Sequence, residues 1–169
     1  LLPCHPKPRS DELLSSWIVR TASANRIALD AALGVRGADW RCKDLDINLP
    51  GSAVEHLSAS TGISIDSIRR LSLESYRGVL FKTSPPNAAL PPWVLPLRTK
   101  SFWGVQCCPQ CLLENPYYRK MWRLAFAVTC TKHECLLVDA CNVCGSPVAY
   151  QGEAKFLRSY PNLETRCQY

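Results

Sequence analysis

Cys108-Pro109-Gln110-Cys111, Cys130-Thr131-Lys132-His133 and Cys141-Asn142-Val143-Cys144-Gly145 decide how this chain is read. Each holds two Cys or His ligands at the spacing with which a tight turn presents two corners of a tetrahedron to Zn²⁺. Two such turns close one structural site. Cys108, Cys111, Cys130 and His133 make a complete Cys₃His set, and Cys141, Cys144 and Cys167 make most of a second. The missing fourth ligand is expected beyond Tyr169, with Cys4 or Cys42 as the substitutes the chain itself offers. Cys107 is set aside as a ligand, because using it would lose the Cys-Pro-x-Cys turn. Cys135 is expected to be a buried free thiol.

Ten cysteines among 169 residues force a choice between disulfides and metal. Vicinal Cys pairs are poorly placed for structural disulfides. The Pro-rich start Leu1–Pro8 offers no apolar secretory core. Zinc in a reducing cytoplasm is the better reading. No apolar run is long enough to span a membrane. The absence of an initiator Met and the end at Tyr169 suggest a part of a longer chain.

The formal net charge is +6. It is uneven: residues 1–84 carry 11 basic against 9 acidic side chains, and residues 85–169 carry 9 against 5. A mild excess of this kind suits a nucleic-acid partner and equally suits an ordinary solvated surface.

The residues before the cysteine pairs read as helical. Ser10 is a good N-cap, Asp11 and Glu12 suit a first turn, and Leu13, Leu14, Trp17, Ile18 and Ala22 recur at helical spacing. Trp17 in such a stripe is expected in the core. Further on, Ser52–Thr61 and Ile65–Tyr76 predict two helices about Gly62, the pattern of a helix-turn-helix over about 52–76. Its second helix would expose Ser64, Asp66, Ser67, Arg69 and Arg70, with the arginines placed for phosphate or guanine. An αα-hairpin used for packing or protein docking has the same pattern, and Asp66 would repel phosphate.

Residues 84–97 contain five prolines and read as a semi-rigid connector, pinned to one module by Trp93, Val94 and Leu95. Between the first two cysteine pairs, Pro116 to Phe126 predicts a helix. Tyr118, Trp122 and Phe126 would form its apolar face, and Arg119, Lys120 and Arg123 a basic face suited to phosphate or to plain solvation. The fold expected is mainly α with small zinc-ribbon β elements. Residues 1–83 form a helix-turn-helix module, 84–97 the connector, and 98–169 tandem zinc fingers with the second truncated.

Catalytic patterns are missing from the sequence. There is no H-E-x-x-H, no nucleophile elbow and no P-loop. The deaminase order, H-x-E before P-C-x-x-C, is not met. A redox use of Cys-x-x-Cys would need a βαβ setting, and none is legible.

Two separated motifs resemble one family. Asp11-Glu12-Leu13-Leu14-Ser15-Ser16-Trp17 is similar to the N-terminal signature of the TniQ/TnsD proteins. Cys108 to Cys111, Tyr118 to Phe126, Cys130 to His133 and Leu136 to Gly145 are similar to their zinc region. The resemblance covers about residues 9–167. It implies a bacterial, nucleoid-associated target-site selection protein for DNA transposition, with no catalytic activity. Such a protein links target DNA or an RNA-guided CRISPR effector complex to the transposon's AAA+ ATPase regulator. It further implies helix-turn-helix and zinc-finger elements, with Cys108, Cys111, Cys130 and His133 as the first zinc set and Cys141, Cys144 and Cys167 in the second. The competing expectation is a helix-turn-helix/zinc-ribbon transcriptional regulator that binds a palindromic operator as a homodimer. A Cys-rich redox or metal-handling protein is the third.

Overall fold

The stripe Leu14, Trp17, Ile18 and Ala22 is buried along one face of helix α1 (Leu14–Ala24), the first element of the chain. The computed structural model describes residues 1–34, 44–80, 92–95, 105–142, 145 and 148. It divides into two compact units, Leu1–Pro91 and Pro92–Tyr169. The first contains α1, α2 (Leu29–Leu33), α3 (Gly51–Thr61), α4 (Ile65–Leu71) and a 3₁₀ turn over Leu73–Tyr76. The second contains α5 (Pro109–Glu114), a 3₁₀ turn over Lys120–Arg123, and a hairpin of β1 (Thr129–Cys130) and β2 (Cys135–Leu136). Among the described residues no helix is long and apolar enough to cross a membrane.

The core of the first unit joins Leu14, Trp17 and Ile18 to Ala32 and Leu33 of α2, Ala53, Val54 and Leu57 of α3, and Ile68 and Leu71 of α4. Four short helices suffice because each contributes two or more apolar side chains to one cluster. Two glycines in the left-handed region end helices here: Gly34 (φ 64°) after α2 and Gly62 (φ 72°) after α3. Gly34 is doubly constrained, because a Cβ there would lie 2.3 Å from the His56 ring.

α1 does not start where its sequence suggests. Ser10 and Asp11 lie in a turn, and Glu12 precedes the helix. The Glu12 side chain is buried and takes a two-pronged contact from Arg20, Nε to Oε1 at 2.7 Å and a terminal nitrogen to Oε2 at 2.8 Å. Two parallel charge-assisted hydrogen bonds hold a carboxylate inside far better than one. The helix start is capped from a distance. The Asp46 carboxylate, fully buried, accepts the Ser15 backbone N–H at 2.7 Å and the Ser15 hydroxyl at 2.9 Å. The Asp46 carbonyl accepts the Leu73 N–H at 2.7 Å. One residue thus ties the start of α1 to the end of the α4 region. The Pro-rich N-terminus is tied down too: the Trp17 indole donates to the Pro6 carbonyl at 2.8 Å.

α3 and α4 are separated by Gly62–Ser64, and Ser64 caps α4 by accepting the Ser67 N–H. The second helix is shorter than Ile65–Tyr76: it stops at Leu71, and Ser72 is extended (ψ 163°). The Leu73 N–H then goes to Asp46 rather than back into a helix.

In the second unit, Val94 and Leu124 form an antiparallel bridge, as do Cys107 and Val138. Residues 93–95 therefore belong to this unit, with Val94 as the buried anchor. Pro116 to Phe126 is not a helix. It is irregular chain with a 3₁₀ turn over Lys120–Arg123 and a turn at Ala125 and Phe126. Trp122 and Arg123 are neighbours in that 3₁₀ turn. The observed path buries both. Trp122 packs edge-on against Tyr118 (centroids 5.8 Å apart), and Arg123 Nε donates to the Leu95 carbonyl at 2.8 Å.

Asp46→Ala should lower the unfolding free energy of the helical unit by about 3 kcal/mol, combining a lost cap with a Ser15 N–H left unpaired. Asp46→Asn keeps an acceptor and should lose about half as much. Urea unfolding followed by far-UV circular dichroism measures both. A cost for Asp46→Ala below about 0.5 kcal/mol, the range of ordinary surface substitutions, would show that the cap is not needed.

Candidate metal centre

The Cys-Pro-x-Cys turn builds half of the site. Pro109 occupies the first helical position of α5, where its missing N–H costs nothing. Cys108 is the N-cap, and its sulfur accepts the Cys111 N–H at 3.5 Å. The other half comes from the hairpin. Cys130 pairs with Cys135 across the two strands, and Thr131–Glu134 make the loop. Glu134 closes that loop in the left-handed region (φ 50°), which brings His133 back over Cys130.

Cys108, Cys111, Cys130 and His133 converge. Their ligand atoms all lie within 4.8 Å of one another, a group that can hold a metal ion. His133 Nδ1 is 3.3 Å from Cys111 Sγ, 3.4 Å from Cys108 Sγ and 3.6 Å from Cys130 Sγ, and the Cys111 and Cys130 sulfurs are 3.6 Å apart. Ligands bound tetrahedrally to zinc at ordinary bond lengths are separated by about 3.6–3.8 Å. The donor set and its spacing therefore fit zinc. Three sulfurs are buried and the imidazole is half-buried.

The thiols differ in electrostatics. Burial raises the Cys130 thiol, but the His133 and Lys132 backbone N–H groups and the Cys111 thiol outweigh it and bring it to about 6. A sulfur already favoured as thiolate is the chemistry a metal requires. Cys107 and the ligand Cys111 are both pushed up to about 12, chiefly by burial, so what sets Cys107 apart is its position and not its acidity. It stands outside the ligand group as an inert interior thiol. Cys135 is only half-buried, not the fully buried thiol its sequence suggests, because β2 leaves it beside Cys108 at 3.6 Å between sulfurs.

Of the second set, Cys141 is buried and its carbonyl accepts the Gly145 N–H at 2.9 Å, with Gly145 at φ 68°. Cys144 and Cys167 lie outside the described residues, as does Cys42. Cys4 is exposed in the first unit.

The basic candidates separate. Arg123 is completely buried, so the surface contact expected of it is corrected: it is a strap on the chain at Leu95. Arg119 is half-buried and lies over the Tyr117 and Trp122 rings at 5.1 and 5.2 Å. Lys120 is half-buried. On α4, Arg69 and Arg70 are exposed, and Arg70 donates to the Ser67 hydroxyl at 3.1 Å. Ser64 is taken up in capping. The two arginines and the metal group lie in different units. Sequence reasoning missed Glu114, whose carboxylate meets both Lys132 and His133. Its position three residues after Cys111, one turn along the same helix, was the available signal.

Cys111→Ser should reduce bound zinc by one ion per chain, whereas Cys135→Ser should leave the count unchanged. Metal analysis of the purified proteins reads both, and equal losses from the two substitutions would redraw the ligand set.

No curated protein matches the chain. The family model described as TniQ matches residues 3–137, which takes in the helical unit and the whole Cys₃His group. The chain belongs to the TniQ family, which is associated with target-site selection in transposition.

Proposed function

We propose that this protein is a non-catalytic adaptor for DNA transposition. In this reading it links a target, either DNA or an RNA-guided CRISPR effector complex, to the transposon's AAA+ ATPase regulator in the bacterial cytoplasm. The observation that carries the proposal is the continuous TniQ match across both units. The Cys₃His group binds zinc and serves as a staple, since three thiolates and one imidazole leave no open coordination position for chemistry.

The shape of α4 favours the adaptor over an operator-reading regulator. Its seven residues span about 10 Å, only two turns. Asp66 sits in the first turn, the end that would meet base edges in a groove. Arg69 and Arg70 sit in the last turn, where cations are favoured. This arrangement suits contact with the phosphate backbone, which positions a protein without reading sequence. Lys120 is a further candidate for such contact.

The chain should capture its ATPase regulator in a pull-down, more strongly when target DNA is present. Tight binding to one short operator with no ATPase captured under either condition would sink the adaptor reading. Replacing Arg69 and Arg70 together by Ala should reduce the salt dependence of DNA binding by about two ionic contacts, with no change in sequence preference. A changed sequence preference would instead support the regulator.

A further inference from the structure

His133 presents its two ring nitrogens to different partners. Nδ1 faces the sulfurs of Cys108, Cys111 and Cys130 at 3.3–3.6 Å. Nε2 lies 3.1 Å from Oε1 of Glu114. Glu114 is the last residue of α5, the helix that Cys108 caps and that carries Cys111. Residues 108, 111 and 114 recur at one-turn spacing, so a single short helix directs two sulfurs and one carboxylate toward the hairpin loop. The other Glu114 oxygen accepts Lys132 from that loop.

We infer that Glu114 is the positioning residue that selects Nδ1 of His133 as the metal ligand. A carboxylate accepting Nε2–H fixes the tautomer with the proton on Nε2. The Nδ1 lone pair is then left pointing at the three sulfurs, and the ring is held in plane with its target. Carboxylates in this outer position orient metal-binding histidines and strengthen them as donors; their loss typically weakens metal binding about 10–100-fold. The ion pair with Lys132 does not supply this effect. Both of its partners are largely exposed, 56% and 44%, and exposed pairs contribute little. Glu114 also spans the two halves of the site, so the helix cannot turn about its axis without dragging the imidazole.

The inference rests on the zinc reading above, and the experiment separates the two. The full chain is titrated with Zn²⁺ against a colorimetric chelator. Glu114→Ala should weaken zinc binding about 10–100-fold. Glu114→Gln, whose amide oxygen still accepts Nε2–H, should recover most of that loss, and Lys132→Ala should change nothing. In a His133→Cys background, where no imidazole needs orienting, Glu114→Ala should have no effect. Long-range ¹H–¹⁵N spectra of the parent should show Nε2 protonated and Nδ1 bound, and a mixture of ring states in Glu114→Ala. The inference is overturned by any of three results: undiminished zinc affinity in Glu114→Ala, an equal loss in the His133→Cys background, or an Nε2-bound ring in the parent. A parent that binds no zinc removes the metal reading as well. A parent that binds zinc with a flat Glu114 series removes this inference alone.

Discussion

Four ligand atoms from the start of a six-residue helix and from a β-hairpin lie within 4.8 Å of one another, and the second unit's described elements meet there. Its described elements are too short to hold themselves. Helices of one or two turns are unstable alone, and so is an isolated two-stranded hairpin. Among the described residues of this unit the buried apolar side chains include Val94, Val105, Tyr117, Tyr118, Trp122, Leu124 and Ala127. A metal held by the four ligands would gather α5 and the hairpin into one object, as structural zinc does in small domains generally. Arg119, lying over two rings beside the site, and Arg123, strapped to Leu95, then extend the ordered region around it.

The first unit relies on a shared core. Its helices are also short, but they share one apolar cluster, and two buried carboxylates fix their ends. Asp46 holds the start of α1, and Glu12 holds Arg20 two turns farther along. Buried acids are costly unless fully hydrogen-bonded; each here has several donors. The two carboxylates are thus committed to architecture.

The sequence made the metal group legible because ligand spacing is a local property. A tight turn needs two residues between ligands whatever the rest of the chain does, so Cys108, Cys111, Cys130 and His133 could be chosen from ten cysteines and three histidines. The core positions Leu14, Trp17, Ile18 and Ala22 of α1 were legible from helical period. What failed was anything set by distant partners. Asp46 caps a helix 31 residues earlier in the chain, so nothing near Ser10 could reveal that the N-cap lay elsewhere. Tyr118, Trp122 and Phe126 have perfect helical spacing, yet the segment is irregular with one 3₁₀ turn and Phe126 remains 58% exposed. There the burial of Arg123 against Leu95, a contact across 28 residues, overrode the periodic signal.

The pairing of Cys107 with Val138 has a further meaning in a chain with more thiols than coordination positions. Adjacent residues in an extended segment point to opposite sides. Two hydrogen bonds of 2.8 Å between Cys107 and Val138 fix which side each of the two neighbouring cysteines takes. Cys107 goes to the interior beside Tyr118, and Cys108 goes to the ligand group. A slip of one residue would exchange them, offering the metal a wrong sulfur of the same chemistry. The bridge therefore sorts two thiols of identical chemistry, one to the interior and one to the ligand group.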